Sequence, residues 1–554
     1  MSRMSVASPG MVVRIALFCL CLGFGSYGSG LAHAAQETGA DDQILIEAAA
    51  RDKVLLLGVG DSLSQGTMDA ANNKANTQKA FMNQVWSKLR KAGRKVIFVQ
   101  PFLSATGSRL NPNKVPTNLG VDGEDMFSLV GLEYGKRVGS PTNDHGPQYW
   151  CDKAEPHLLT GMHDKVLYPI NLRAGEPVTQ LDALIWHLNN RAAGVPAIVC
   201  FWVGNNDSGL AALGLGGRNP EFLPIPYTQI KSKLDYGLQF LLDYGLNNGE
   251  VSFSPFSPDN VSRNLTDEVD FIAQYDHVML RLNSEADLTN ADIFLCTFPY
   301  YCDVGYLFDR ADLAYYLSGG GYQVPEFGGR VSLLTFFCMY ALQKTGETQA
   351  MDQILQQEHD LVLSLTDSRE YQTIKSRINA FNRITKTQPG VHFIKTGKKL
   401  NNLFNKGLNV DGTKLFRSWG RGGSFSIDGV HPGHTVHAHI ANIVLKRMNQ
   451  KLRIKAPLHD LGPIMKKDPY VDHDGDGWVK GPAGEGIGRT RILYLLRDAD
   501  GDTGTDPDGK AEIDYLTADE IWKLVSDSLL EEIIDIPAIR AEAERIGVWP
   551  IKKD

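Results

Sequence analysis

Two short polar sequences in this chain combine residue types that could perform nucleophilic catalysis. Gly60-Asp61-Ser62-Leu63 follows the apolar run 54–59, and this pattern predicts a buried strand that delivers Ser62 into a tight turn. Far along the chain, Asp428-Gly429-Val430-His431 offers a histidine with a carboxylate three residues earlier. Histidine is the usual base for a serine hydroxyl because its pKa lies near neutral pH. Together these residues predict acyl transfer through a serine nucleophile.

A third polar sequence could stabilise the oxyanion that forms in such a reaction. Gly204-Asn205-Asn206-Asp207 follows another apolar run, and the side-chain amide of Asn206 could donate to a developing negative charge. The same residues are also typical of an ordinary turn. Asp61 adjoins the serine, but we expect it to be a structural turn residue. Asp428 is the predicted acid because it lies next to the base that it must orient.

The elements that would position these residues alternate between strands and helices. Five apolar runs predict strands, at 54–59, 95–102, 197–203, 291–298 and 392–395. Helical spacing of apolar residues recurs between and after them, in the sets Phe81/Val85/Leu89, Leu181/Leu184/Ile185/Leu188, Ile374/Ile378/Phe381/Ile384 and Val436/Ile440/Ile443/Val444/Met448. This alternation predicts an α/β fold with a mostly parallel sheet covered by helices. Sites in such sheets form at the carboxyl ends of strands, which is where Ser62 falls.

With these blocks in place, the chain resembles the GDSL or SGNH hydrolase family of esterases and lipases. Four blocks occur in the family's order: Gly60-Asp61-Ser62-Leu63, Asn118-Leu119-Gly120-Val121-Asp122-Gly123, Gly204-Asn205-Asn206-Asp207 and Asp428-Gly429-Val430-His431. The resemblance implies a three-layer α/β/α, flavodoxin-like fold with a five-stranded sheet. It also implies that Ser62 is the nucleophile, His431 the base and Asp428 the orienting acid. The oxyanion hole would comprise the N–H groups of Ser62 and Gly123 with the Asn206 side chain, and Gly107 is the alternative for the glycine.

The resemblance leaves the substrate open. The hydrolase domain is expected over 35–455, with insertions at about 208–290 and 300–368 that would wall the site. The same machinery would serve an esterase or lipase and a carbohydrate O-deacetylase, so the substrate is a small-molecule, lipid or carbohydrate ester. A non-catalytic surface or binding protein on the same fold remains an alternative. The net charge of −8 and the absence of long Lys/Arg runs argue against a nucleic-acid partner.

The first 34 residues are predicted to be a signal peptide. Arg3 and Arg14 precede the apolar run 15–24, and Ala32-His33-Ala34 supplies the small residues of a cleavage site. An uncleaved anchor is the alternative, although the run is short for a bilayer span and is broken by Gly and Ser. We therefore expect a secreted or periplasmic protein with no transmembrane anchor after cleavage.

Cysteines and clustered histidines suggest no further chemistry. Five cysteines remain after cleavage and allow at most two disulfides: Cys151, Cys200, Cys296, Cys302 and Cys338. Cys200 and Cys296 lie in apolar runs and are expected to be buried thiols. His434, His437 and His439 are expected to be solvated helix positions, since their spacing does not put all three on one helical face.

The C-terminal region, 456–554, is acidic and predicts calcium loops. Carboxylates at alternate positions followed by glycine supply oxygen ligands around a sharp turn. The tentative ligands are Asp472, Asp474, Asp476, Asp498, Asp500 and Asp502. The region resembles EF-hand or dockerin loops incompletely, because Ala483 stands where an EF-hand has its bidentate Glu. A solvated acidic surface is the alternative, and catalysis itself requires no cofactor.

Overall fold

A computed structural model describes most of the chain between residues 53 and 473. The described residues are 53–69, 71–104, 107–138, 149–214, 255–317, 321–344, 348–356, 361–365, 369–473, 479 and 544–545. The predicted signal peptide, residues 215–254 of the first predicted insertion and most of the acidic C-terminal region lie outside them.

The described residues contain ten strands. They are β1 (Lys53–Gly60), β2 (Lys95–Ile97), β3 (Ala197–Trp202), β4 (Ala291–Cys296), β5 (Leu307–Phe308), β6 (Gly329–Ser332), β7 (Val362–Ser364), β8 (His392–Ile394), β9 (Leu408–Val410) and β10 (Thr413–Leu415).

Helices connect and cover these strands. They are α1 (Ser62–Gln65), α2 (Lys74–Thr77), α3 (Phe81–Lys91), α4 (Gly135–Val138), α5 (Met162–Leu167), α6 (Ile170–Ala174), α7 (Gln180–Asn189), α8 (Asn206–Leu213), α9 (Pro258–Asn264), α10 (Glu268–Glu285), α11 (Arg310–Leu317), α12 (Leu333–Lys344), α13 (Thr348–Leu355), α14 (Arg369–Thr387), α15 (Thr396–Lys406), α16 (His434–Leu452) and α17 (Gly462–Met465). Short 3₁₀ turns occur at Ser128–Val130, Pro156–Leu158 and Tyr301–Asp303.

The central sheet has five strands in the order β2-β1-β3-β4-β8, and every neighbouring pair is parallel. The two innermost pairings, β1 with β3 and β3 with β4, carry apolar residues that are buried along nearly their whole length. Burial on both faces explains why these strands read as continuous apolar runs rather than as alternating patterns. The predicted α/β fold with a parallel sheet is confirmed.

The helices that pack against this sheet form two sets, and within each set the helices contact one another. This grouping is consistent with a three-layer α/β/α arrangement. One set contains α3, α15 and α16, and the other contains α7, α10 and α14. The apolar positions that predicted α3, α7, α14 and α16 are buried with few exceptions, so these predicted helices are confirmed.

Two of the outer predicted strands are shorter in the structure. Residues 95–102 were expected to form one strand, but β2 ends at Ile97. The chain then turns away because Val99 accepts backbone hydrogen bonds from Thr117 and Asn118 at 3.0 and 3.1 Å. β8 likewise ends at Ile394, and the chain enters α15 at Thr396.

The second predicted insertion contains a small unit of its own. β5, β6 and β7 form an antiparallel sheet, and α11, α12 and α13 lie between these strands along the chain. Near the end of the described chain, β9 pairs with β10 and shares a small apolar cluster with Met465 and Val471. Ala456 and Tyr470 belong to the main apolar core, so the described residues 456–473 pack on the same body as the central sheet. Among the described residues, no helix is both long and apolar enough to cross a bilayer.

The prediction that Cys200 and Cys296 are buried thiols is confirmed, and the prediction that His437 is a solvated helix position is wrong. Cys200 and Cys296 are buried thiols whose sulfurs lie 4.0 Å apart on β3 and β4. His437 is fully buried rather than solvated, with its ring stacked on Phe81. Its Nδ1 accepts the Phe81 N–H at 3.3 Å, and burial lowers the pKa of His437 to about 3. The position faces α3, which a helical spacing alone could not reveal.

Candidate functional site

Ser62 lies at the point where the central strand β1 passes into the short helix α1. Asp61 caps this helix, and its Oδ1 accepts the Leu63 N–H at 3.0 Å. Gly60 is required here because a Cβ would lie 2.1 Å from Ser64 Oγ and 2.8 Å from the Trp202 carbonyl. The Ser62 side chain is 8% exposed at the carboxyl end of the strand. The sequence pattern therefore predicted both the strand and the turn correctly.

Asp61 is held by a residue that the sequence analysis did not single out. Asn205, on the loop after β3, donates from Nδ2 to Asp61 Oδ2 at 2.6 Å. Burial raises the pKa of Asp61 to about 7, although the hydrogen bonds from Asn205 and Leu63 oppose this shift. These contacts bind the loops after two neighbouring strands to each other. The contact between Asn205 and Asp61 could have been expected from the parallel pairing of β1 with β3, which places the carboxyl ends of these strands side by side.

Asp428 and His431 form a hydrogen-bonded pair. His431 Nδ1 lies 2.7 Å from Asp428 Oδ2, and the Asp428 side chain is buried. Asp428 Oδ1 also accepts the backbone N–H groups of Val430 and His431, each at 2.8 Å. Gly429 between them has φ +74°, and a Cβ there would lie 2.7 Å from the Tyr306 nitrogen. The Asp-Gly-Val-His spacing thus folds into a tight turn that holds the imidazole against the carboxylate.

The environment of His431 favours its protonated form. Burial lowers the pKa of His431, but the Asp428 carboxylate opposes this through charge and hydrogen bonding, and Asp122 and Asp61 add to it. The net result is a pKa above the ordinary histidine value. Two hydrogen bonds between Asp69 and residues 426 and 427 connect the chain after the Ser62 turn to the loop that leads to Asp428, so the two distant motifs lie on adjoining loops.

The segment predicted to carry the oxyanion glycine runs beside β1 and α1. Leu119 donates from its backbone to Gly58 at 2.7 Å, and Val121 donates to Gly60 at 2.9 Å. The Asp122 N–H donates to Gln65 Oε1 at 2.7 Å. Gly123 follows directly, with φ +81° and open space where a side chain would be. The structure therefore brings this segment to the Ser62 turn.

Gly107, the alternative for the oxyanion glycine, lies in a different turn. Its N–H donates to the Ser104 carbonyl at 3.1 Å, and a Cβ on it would meet the Lys165 ammonium at 3.3 Å. This position favours Gly123 for the role that the resemblance implies.

Asn206 begins α8 and points toward the same segment. Its Nδ2 donates to the Glu124 carbonyl at 2.9 Å, directly after Gly123. An asparagine amide has two N–H groups, so one can hold this contact while the other donates to a ligand. The Glu124 side chain is fully buried, and its Oε2 lies 2.7 Å from His163 Nε2. Sequence reasoning missed this pair, which lies next to the predicted oxyanion glycine, Gly123.

Asp69 is a further residue that sequence reasoning missed. It is buried, has φ +56°, and connects the Ser62 turn to the loop that leads to Asp428. Its N–H donates to Ser426 Oγ at 3.0 Å, and its Oδ1 accepts the Ile427 N–H at 2.8 Å. Tyr470 donates its hydroxyl to Asp69 Oδ2 at 2.5 Å.

Among the described residues, no group of three or more His, Cys, Asp or Glu side chains is arranged to hold a metal ion. Asp472 is described and is partly buried. The other tentative calcium ligands, Asp474, Asp476, Asp498, Asp500 and Asp502, lie outside the described residues. The calcium prediction therefore stays a prediction.

Comparison with known proteins adds no relative. No protein-family model matches the chain, and no curated protein matches it either.

Proposed function

We propose that this protein is an exported serine esterase of the GDSL or SGNH type that hydrolyses carboxylic acyl esters. The observation that carries the proposal is the contact between the buried Asp428 and the partly buried His431, 2.7 Å apart, on a loop that Asp69 connects to the Ser62 turn. A serine after a central strand, a histidine and an orienting carboxylate are the three parts that nucleophilic ester hydrolysis requires.

In the proposed reaction, each residue has one role. Asp428 accepts a hydrogen bond from the Nδ1–H of His431, which leaves Nε2 unprotonated and able to take the proton from Ser62 Oγ. Ser62 attacks the ester carbonyl, and the oxygen that becomes negative receives hydrogen bonds from the N–H groups of Ser62 and Gly123 and from Asn206. His431 returns the proton to the leaving alcohol, and an acyl-enzyme remains.

The second half of the reaction repeats the first with water. Water gives a proton to His431 and attacks the acyl carbonyl, and His431 then returns the proton to Ser62 as the acid departs. Because the imidazole must be neutral at the start of each half, its raised pKa would move the acidic limit of activity to a higher pH than an ordinary histidine would give.

The proposal is tested with Ser62→Ala and a short-chain aryl ester. We expect hydrolysis to fall to background, since the nucleophile is removed, while the melting temperature stays within a few degrees. Ser87→Ala is the matched control, because Ser87 Oγ only donates to the Gln84 carbonyl within α3. Retention of wild-type hydrolysis by Ser62→Ala would exclude Ser62 as the nucleophile.

A substrate panel then separates the classes that share this machinery. Acetylated sugars, short-chain esters and long-chain acyl esters are compared by kcat/KM. Preference for acetylated sugars would identify a carbohydrate O-deacetylase, and preference for long chains a lipase. A wild-type protein that hydrolyses none of them and is not labelled at Ser62 by a phosphonate would indicate a non-catalytic binding protein.

A further inference from the structure

We propose that Asp69 and Tyr470 are positioning residues that fix the loop bearing Asp428 and His431, so that the C-terminal segment 468–470 forms part of the active-site scaffold. None of the four sequence blocks includes this segment, and all of them end by His431. The inference rests on the esterase activity proposed above and goes beyond it, because it assigns roles to residues outside the motifs.

The first support is the hydrogen bonding of Asp69. Its main-chain N–H and its Oδ1 both bind the loop, at Ser426 and Ile427, immediately before Asp428. Asp69 also follows the Ser62 turn closely, since the Thr67 N–H donates to the Ser62 carbonyl at 3.0 Å. One buried side chain therefore joins the strand-end turn of the nucleophile to the loop of the acid and base.

The second support is the backbone conformation of Asp69. A φ of +56° is uncommon for a residue other than glycine, although aspartate and asparagine adopt it more readily than most. Such a conformation persists where the surroundings hold it in place. Here the carboxylate is held on both oxygens, by Ile427 and by Tyr470.

The third support is that the same C-terminal segment also holds the chain on the far side of His431. Asp468 is fully buried, and its Oδ2 accepts both the N–H and the hydroxyl of Thr435, each at 2.7 Å. Thr435 lies in the first turn of α16, which begins three residues after His431. Segment 468–470 thus fixes the loop before Asp428 through Asp69 and the chain after His431 through Thr435.

The test uses the full chain and Tyr470→Phe, which removes one hydroxyl and keeps the ring. We expect kcat to fall about tenfold with little change in KM, because a loosened loop misplaces the base while substrate contacts remain. Tyr168→Phe is the matched control, since Tyr168 donates its hydroxyl to the Ala154 carbonyl at 3.4 Å, a contact that lies outside both predicted insertions and outside segment 468–470. Its kcat should equal that of the wild type.

The pH profile supplies a readout that loss of stability alone would not move. The charged or titratable groups that act on His431 are Asp428, Asp122 and Asp61, and His437 lies near it on α16. A loosened loop weakens the hydrogen bond between Asp428 and His431 and so lowers the pKa of the imidazole. The acidic limb of kcat/KM should therefore move to lower pH in Tyr470→Phe and stay in place in Tyr168→Phe.

Substitutions of Asp69 complete the test. In Asp69→Asn the amide keeps an acceptor for Ile427 and tolerates the positive φ, so kcat should stay closer to wild type than in Asp69→Ala, which loses both contacts. An active wild type with unchanged kcat and unchanged acidic limb in Tyr470→Phe would overturn this inference alone. A wild type with no esterase activity would overturn the proposed function, and this inference with it.

Discussion

Asp428→Asn replaces the orienting carboxylate by an amide of nearly the same shape, so it tests the role of the carboxylate alone. The substituted amide can place its oxygen where Oδ1 now accepts the N–H groups of Val430 and His431, so the turn itself should survive. Its NH₂ group then faces His431 Nδ1, which is 2.7 Å from Asp428 Oδ2. Because an NH₂ group donates, it favours the tautomer in which Nδ1 accepts and Nε2 carries the proton. That imidazole cannot take the proton of Ser62.

The expected loss of activity is therefore large, and the expected loss of stability is small. Loss of the required tautomer should lower kcat by roughly 10³ to 10⁴, approaching the roughly 10⁴ found for the corresponding change in a serine-protease triad. This corresponds to about 4 to 5.5 kcal/mol of transition-state stabilisation at 1.36 kcal/mol per factor of ten. One charge-assisted hydrogen bond on a partly buried histidine contributes about 1.5 to 3 kcal/mol to folding, an upper limit for the stability change.

The assay is initial-rate hydrolysis of a short-chain aryl ester at pH 8, with the melting temperature measured in parallel. Asp292→Asn is the matched control, because Asp292 also pairs with a histidine: its Oδ1 lies 3.1 Å from His392 Nε2. That pair lies toward the start of β4 and β8, at the opposite end of the parallel strands from Ser62. A fall in kcat of less than tenfold in Asp428→Asn, or an equal fall in Asp292→Asn, would refute the reasoning.

Three further predictions concern pH, backbone and metal. The wild-type kcat/KM should fall as pH falls through the raised pKa of His431, and a rate that is independent of pH between 5 and 8 would contradict this. The contribution of the Asp428–His431 pair to stability should be complete below the pKa of histidine in the unfolded chain and should be lost as pH rises through the raised pKa of the folded protein. Melting temperatures measured across the same pH range test this second expectation. Gly429→Ala should destabilise the fold by roughly 1 to 3 kcal/mol, because φ is +74° and the Cβ would press on the Tyr306 nitrogen; an unchanged urea midpoint would argue against this turn. A calcium chelator should lower the melting temperature with little effect on the chemistry at Ser62, and no shift would count against the calcium loops.

The central parallel sheet could be predicted from the sequence, because its inner strands are buried on both faces and therefore appear as long apolar runs. The turn at Gly60 and the pairing of Asp428 with His431 were also predictable, since each depends on residues within three or four positions of one another. Termination of β2 at Ile97 was not, because it depends on Val99 bonding to Thr117.

The residues that hold the site together were missed for a related reason. Asp69 contacts Ile427 and Tyr470, which are 358 and 401 positions away in sequence. Asn205 reaches Asp61 across 144 positions, and His437 is buried only because α16 packs on α3. Single polar residues of this kind resemble ordinary loop or helix positions until the tertiary contacts are known.

The central claim is that Ser62 is acylated during ester hydrolysis. It is tested most directly by mixing the full-length protein with a short-chain aryl ester, quenching in acid within one turnover and locating the added mass by peptide mass spectrometry. We expect one acyl group on Ser62, absent from Ser62→Ala and preserved by the acid quench, which protonates His431 and stops deacylation. Hydrolysis that proceeds with no acyl adduct, or with the adduct on another residue, would contradict it.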